Sequence, residues 1–104
     1  MTMVLRPAHV RPISIDEVAA RAGADRVDGS AGVEVTGATV DSREVVAGDL
    51  FGAFAGLVQH GARFASDAVS AGAVAILTDE DGLRQVRDAG LTVPVVVAAH
   101  TRDA

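Results

Sequence analysis

The sequence predicts a small single domain of the α/β class, a mostly parallel sheet with helices packed on it. Three observations carry that expectation. Apolar runs rich in β-branched residues alternate with helix-period segments through the second half of the chain. The links between them are only a few residues long. A chain of 104 residues has room for one core. Strand, helix, strand, helix, strand with links this short calls for parallel strands joined by right-handed crossovers.

In order, residues 1–12, with Pro7 and Pro12, read as a flexible arm and 13–104 as the folded domain. Ser14-Ile15-Asp16-Glu17 is a capping-box pattern: the Ser14 hydroxyl accepts from the Glu17 amide and the Glu17 carboxylate reaches back. Ile15, Val18, Ala19 and Ala22 then recur at helical spacing, and Gly23 stands where a glycine cap belongs. Asp25 to Gly32 reads as a polar connection. Val33-Glu34-Val35-Thr36 alternates like a half-buried strand, within a β-rich run that ends at Val40.

Asp41-Ser42-Arg43 follows, then a turn at Ala47-Gly48-Asp49, a strand from Leu50 to Phe54 and a glycine-bounded loop from Gly56 to Gly61. Ala62 to Ala71 predicts a helix burying Phe64, Ala65, Ala68 and Val69. Ala73 to Leu77 predicts a strand covered on both faces. Thr78-Asp79 caps a helix with Leu83, Val86 and Ala89 inward and Gly90 at its end. Val93 to Ala98 predicts the last strand, with Pro94 near its start suited to a sheet edge.

Composition removes several function classes. The net charge is −5, there is no Lys, and the arginines form no run, so a binder of nucleic-acid backbone is not expected. The absence of Cys removes disulfides, thiolate catalysis and zinc–thiolate sites. No stretch has the apolar length to span a bilayer, and residues 1–12 lack the apolar core of a signal peptide, so a cytoplasmic location without membrane partners is expected. His9, His60 and His100 match no metal-ligand spacing, and a Walker loop needs a Lys. No metal site and no paired-carboxylate site is expected.

What remains is the Asp41-Ser42-Arg43 turn, expected to face the Gly56–Gly61 loop. Two accounts fit the residues. In one, Asp41 forms the turn, Ser42 makes a local hydroxyl-to-backbone bond, and Arg43 pairs with Asp41 or Asp49; such turn chemistry is the commoner kind. In the other, the strand ends and the glycine-rich loop gather polar groups around a small ligand.

The string VTGATVDSREVVAGDLFGAFAG, followed by HGARF and DAVSAGAVAILTD, resembles the amino-terminal domain of the Mur ligases of peptidoglycan synthesis. Their pattern is a strand, D-[ST]-R, a spacer, G-D-[LIV]-F-x-A, a D-G or H-G pair, and G-A-x-A. The resemblance covers about residues 13 to 98. Within the family, the lead RPISIDEVAARAGA and the H-G pair are most similar to the tripeptide synthetases that add meso-diaminopimelate or, in some relatives, L-lysine. The D-alanyl-D-alanine-adding ligases share much of the pattern.

The resemblance implies a domain that grips the uridine diphosphate (UDP) end of UDP-N-acetylmuramoyl-L-alanyl-D-glutamate. It carries UDP contacts onto Val40, Ser42, Leu57, Val58 and Gln59, and structural roles onto Arg43 and Asp49. His60 departs from the Asp that many relatives have there, so it receives no ligand role. Backbone groups at strand ends and one hydroxyl can match the acceptors and the N–H of uracil, Val40 and Leu57 can cover the ring, and glycine-flanked turns can offer amides to the diphosphate. A few charge-assisted bonds of ~1.5–3 kcal/mol each set against an association cost of ~4 kcal/mol or more predict a Kd between about millimolar and tens of micromolar.

The chain has no G-T-x-G-K-[ST] loop and no Lys for ATP or for carbamylation. It is therefore expected to be inactive alone and to need no cofactor. The resemblance implies that ATP and magnesium serve a longer ligase, with ATP on a central domain and the incoming amino acid largely on a carboxy-terminal one; the ending at His100-Thr101-Arg102-Asp103-Ala104 reads as a truncation of it. A free-standing uridine-nucleotide module without catalysis, and a purely structural domain, are the alternatives.

Overall fold

Alternation along three neighbouring strands sets the architecture. The computed structural model describes residues 12–24, 26–29, 32–53 and 61–98. Strands β1 (Ile13–Ser14), β2 (Arg26–Asp28), β3 (Glu34–Val35), β4 (Gly37–Thr39), β5 (Asp49–Gly52), β6 (Ala75–Thr78) and β7 (Val95–Val97) are interleaved with helices α1 (Ile15–Ala22), α2 (Ala65–Ala71) and α3 (Glu80–Asp88). Five strands form one sheet in the order β2-β7-β6-β5-β4. The pairs β4–β5, β5–β6 and β6–β7 are parallel, and β2 adds antiparallel to β7.

Every residue of β5 and β7 is buried, which explains why both read as unbroken apolar runs. Phe51, Ile76, Val95 and Val97 pack on one face with Ala65, Ala68, Leu83 and Val86 from α2 and α3. Leu50, Ala75 and Val96 pack on the other with Ile15 of α1, and Val18, Ala19 and Val27 press in from its margin. The sheet is thus covered on both sides, the expected α/β arrangement.

Helix ends follow their sequence signals closely. The Ser14 hydroxyl accepts from the Glu17 amide at 3.1 Å, and Gly23 caps the other end of α1 with φ +66°. The second half of the capping box differs from expectation. The Glu17 carboxylate is drawn one turn along the helix to the Arg21 guanidinium at 2.6 Å, because a charged partner outbids an amide. Asp79 caps α3, accepting from the Gly82 amide at 2.8 Å.

Other expectations are corrected in detail. The β-rich run that ends at Val40 is split: β3, within the expected 33–36 strand, pairs with β1 in a separate two-stranded ribbon, while β4 joins the main sheet. The strand expected at Leu50–Phe54 spans Asp49–Gly52; Phe54 and Gly56 lie outside the described residues. The helix expected at 62–71 begins as a 3₁₀ turn, Gly61–Phe64, and becomes α only at Ala65. Ala89 is exposed at the cap of α3, not inward. The last strand is interior, between β2 and β6, and Pro94 stands just before it. There the missing proline amide costs nothing, and the Pro94 carbonyl accepts from the Ile76 amide at 3.1 Å.

The polar Asp25–Gly32 stretch hides β2. An ionic clasp holds this strand: Arg87 of α3 donates to the Asp28 carboxylate at 2.6 and 3.0 Å, to the Asp28 carbonyl at 3.1 Å, and to the Leu91 and Val93 carbonyls at 2.8 and 3.0 Å. Arg26 reaches Glu80 at 2.8 Å. Among the described residues, no helix is long and apolar enough to cross a membrane.

Candidate functional site

Parallel strands β4 to β7 run the same way, so the residues after their last positions share one edge, the usual ligand edge of an α/β sheet. That edge is tightly laced: the buried Thr78 hydroxyl donates to the Ala53 carbonyl at 2.7 Å, and the Ala53 and Ala98 amides donate to the Leu77 and Thr78 carbonyls. Val40, Asp41 and Ser42 leave β4 at this edge.

The turn is built by Asp41. Its amide donates to the Thr39 hydroxyl at 3.1 Å, and its carboxylate accepts from the Arg43 amide at 2.9 Å and from the Arg43 guanidinium twice at 3.0 Å. The Glu44 amide closes a 3₁₀ turn, Ser42–Glu44, on the Asp41 carbonyl. Val45 then anchors the segment in the core. Beyond it, the wholly buried Asp49 carboxylate accepts from the Val46 amide at 2.9 Å, while the Asp49 amide donates to the Val46 carbonyl at 3.2 Å. Asp49 thus pins the bend, and Arg43 takes Asp41 as its partner.

These bonds decide which part of the turn is structural. The local hydroxyl bond that turn chemistry asks of Ser42 is absent among the described residues, since Asp41 and Thr39 already serve the available amides. Ser42 is half-buried, and its hydroxyl has no partner among the described residues.

A hollow of about 670 Å³ opens here, lined among the described residues by Val40, Asp41, Ser42, Arg43, Phe64 and Asp67. Val40 is 67% exposed, an apolar surface with nothing of its own to cover. Arg63 lies over the Phe64 ring at 5.4 Å. Phe64, the last residue of the 3₁₀ turn that precedes α2, lines the hollow. Phe64 and Asp67 are the lining residues that sequence reasoning missed as site residues. Phe64 is half-buried against the core, as its spacing suggested, and lines the hollow as well; nothing local to Asp67 marks it.

Of the five residues expected to contact UDP, the structure brings Val40 and Ser42 to this hollow. Leu57, Val58 and Gln59 lie outside the described residues, as do His60 and the other two histidines. A second hollow, about 370 Å³, lies on the α1 face between Ile13, Val18, Ala22, Val35, Ala38 and Leu50. It is nearly all apolar and its Arg21 is engaged with Glu17. It lacks the convergent polar groups that orient a polar ligand.

The hydrogen bonds from Arg43, first from its side chain and then from its amide, hold the Asp41 carboxyl below its ordinary value of 3.8. The turn's contribution to stability is therefore complete above about pH 4 and is lost as pH falls through the lower folded value. Comparing melting temperatures at pH 7 and pH 3 checks this. The gap between the wild-type chain and Asp41→Asn should shrink at pH 3; an unchanged gap means the pair adds nothing.

The family model described as "Mur ligase family, catalytic domain" matches residues 34–103. The chain belongs to the Mur ligase family. It is 46% identical over 91 residues to a UDP-N-acetylmuramoyl-L-alanyl-D-glutamate–2,6-diaminopimelate ligase of Streptomyces avermitilis, covering 88% of this chain and 18% of that protein. A UDP-N-acetylmuramyl-tripeptide synthetase of Leifsonia xyli is 44% identical over 100 residues, covering 96% and 19%. Among solved structures, a UDP-N-acetylmuramoylalanyl-D-glutamyl-2,6-diaminopimelate–D-alanyl-D-alanyl ligase from Acinetobacter baumannii superposes with a TM-score of 0.70 over 92% of this chain and 20% of that one. At 19% identity that likeness shows the shared fold. This Mur ligase chain spans about a fifth of the length of the curated relatives it matches.

Proposed function

We propose that this domain anchors the UDP end of UDP-N-acetylmuramoyl-L-alanyl-D-glutamate for an ATP-dependent ligase that adds a diamino acid of the diaminopimelate type. The observation that carries the reading is the Ser42 hydroxyl, without a partner among the described residues, in the lining of a hollow on the carboxyl edge of the sheet. Val40 offers an apolar face for a pyrimidine ring, and Ser42 one donor and acceptor for its polar edge. The 54–60 segment connects the end of β5 to the turn that carries Phe64 into the same hollow. Leu57, Val58 and Gln59, which belong to that segment in sequence, are proposed as further contacts.

The choice of amino acid follows the relatives in sequence, two of which carry the names of tripeptide-forming ligases at 44–46% identity. ATP and magnesium chemistry is assigned to the rest of a full-length ligase, because this chain has neither a phosphate loop nor a Lys. The domain supplies substrate position, and carboxylate activation takes place elsewhere.

Titrating the chain with UDP while following backbone amide shifts tests the site. Shifts should cluster at Val40–Ser42, and Ser42→Ala should weaken binding about tenfold, the worth of one well-placed hydrogen bond, with an unchanged amide spectrum in the free protein. No shifts at millimolar UDP would favour a structural role for the turn. Unfolding of Ser42→Ala would also count against the reading, since a ligand-facing hydroxyl is not needed by the fold.

A further inference from the structure

Asp67 brings into the hollow a charge that a diphosphate cannot welcome. We propose that the Asp67 carboxylate is a specificity residue, accepting hydrogen bonds from the vicinal hydroxyls of a ribose and so selecting ribonucleoside over deoxyribonucleoside diphosphates. The inference rests on the reading of the hollow as a nucleotide site.

Among the described residues two carboxylates line the hollow, and the structure distinguishes them. Both oxygens of Asp41 are taken by Arg43. Asp67, in the first turn of α2, has no partner among the described residues and is exposed beside the 42–44 turn. Among the described residues it is the carboxylate of the site that is left open. An ionised carboxylate accepts only, so it can face only ligand groups that donate.

Charge then orients the ligand. The Arg43 side chain is 87% exposed and bonds Asp41 through Nε and Nη2. Its Nη1 donors remain for an anionic group. The phosphates therefore lie toward Arg43, and the neutral hydroxyl end toward Asp67.

Between the donors that a uridine nucleotide offers, geometry selects the ribose. The uracil N–H is flanked by two carbonyl oxygens, so a carboxylate meeting it sets its second oxygen against another acceptor. A vicinal diol offers two O–H donors to two carboxylate oxygens, the pairing by which acidic residues hold ribose in dinucleotide-binding folds. Asp67 gains both bonds without a repulsive contact.

The test compares UDP with 2′-deoxyuridine diphosphate on the chain, its Asp67→Ala variant and its Asp67→Asn variant, by amide-shift titration. The wild-type chain should bind UDP about fivefold more tightly than the deoxy compound. Asp67→Ala should bind the two equally, and Asp67→Asn, which keeps one acceptor, should fall between. UDP shifts at Val40–Ser42 without discrimination, or discrimination that survives in Asp67→Ala, overturn this inference and leave the UDP site standing. Absence of any shift at Val40–Ser42 overturns both. The free-protein amide spectrum checks that each variant is folded, and Asp67→Asn provides the comparison if Asp67→Ala is not.

Discussion

Gly72→Ala is expected to destabilise the domain by about 3 kcal/mol or more. Two penalties act together. Gly72 has φ +121°, a conformation that costs a side-chain-bearing residue about 1–3 kcal/mol. A Cβ there would also stand 2.7 Å from the Ala47 Cα and 2.8 Å from its nitrogen. Those are backbone atoms and cannot swing aside. Nor can the turn retreat as a whole, because the Gly48 amide donates to the Gly72 carbonyl at 3.1 Å. Gly90→Ala is the control: φ is +82°, yet nothing lies within 4 Å of the added atom, so only the backbone cost of about 1–2 kcal/mol applies. Urea denaturation measures both, and equal losses in the two variants would show that the approach of Ala47 to Gly72 is not a constraint.

Phe51→Ala should cost about 3–5 kcal/mol, the usual range for emptying a buried aromatic site. Phe51 is 1% exposed on the interior strand β5, packed with Val45, Ala65, Ala68 and Ile76. Most of these neighbours are short, so they cannot lean in to refill the space. Against a total stability of about 5–15 kcal/mol for a chain of this size, the variant stands near the limit of folding. Phe51→Leu, which keeps most of the volume, should lose much less. Thermal melts of the pair check this; a Phe51→Ala protein melting within a few degrees of wild type would mean that the core collapses around the gap.

The parts legible in the sequence are those whose physics is local. The N-cap at Ser14, the glycine at 23, the cap at Asp79 and the apolar runs at 50–54, 73–77 and 93–98 all express short-range rules, and the runs reappear with shifted ends as β5, β6 and β7. So does the Asp41 turn. What was not legible depends on partners far along the chain. β2 has one inward apolar residue, Val27, and exists because β7 and Arg87 are there to meet it. Pro94 suggested an edge that β2 in fact covers. At the site, Val40 and Ser42 came from the motif, whereas Asp67 joins them only through packing of α2 beside the turn.

The antiparallel pairing of β2 with β7 sets an order of events at the ribosome. Among the described residues, the first strand of the main sheet has its neighbour in the last, so Arg26–Asp28 must wait for that pairing until Val95–Val97 has emerged. Such distant pairing slows folding and leaves a nascent strand open to misassociation in the interval. A chain ending before Val97 would have its own left flank unsealed, and the whole sheet becomes competent to close only when nearly all of these residues have been made.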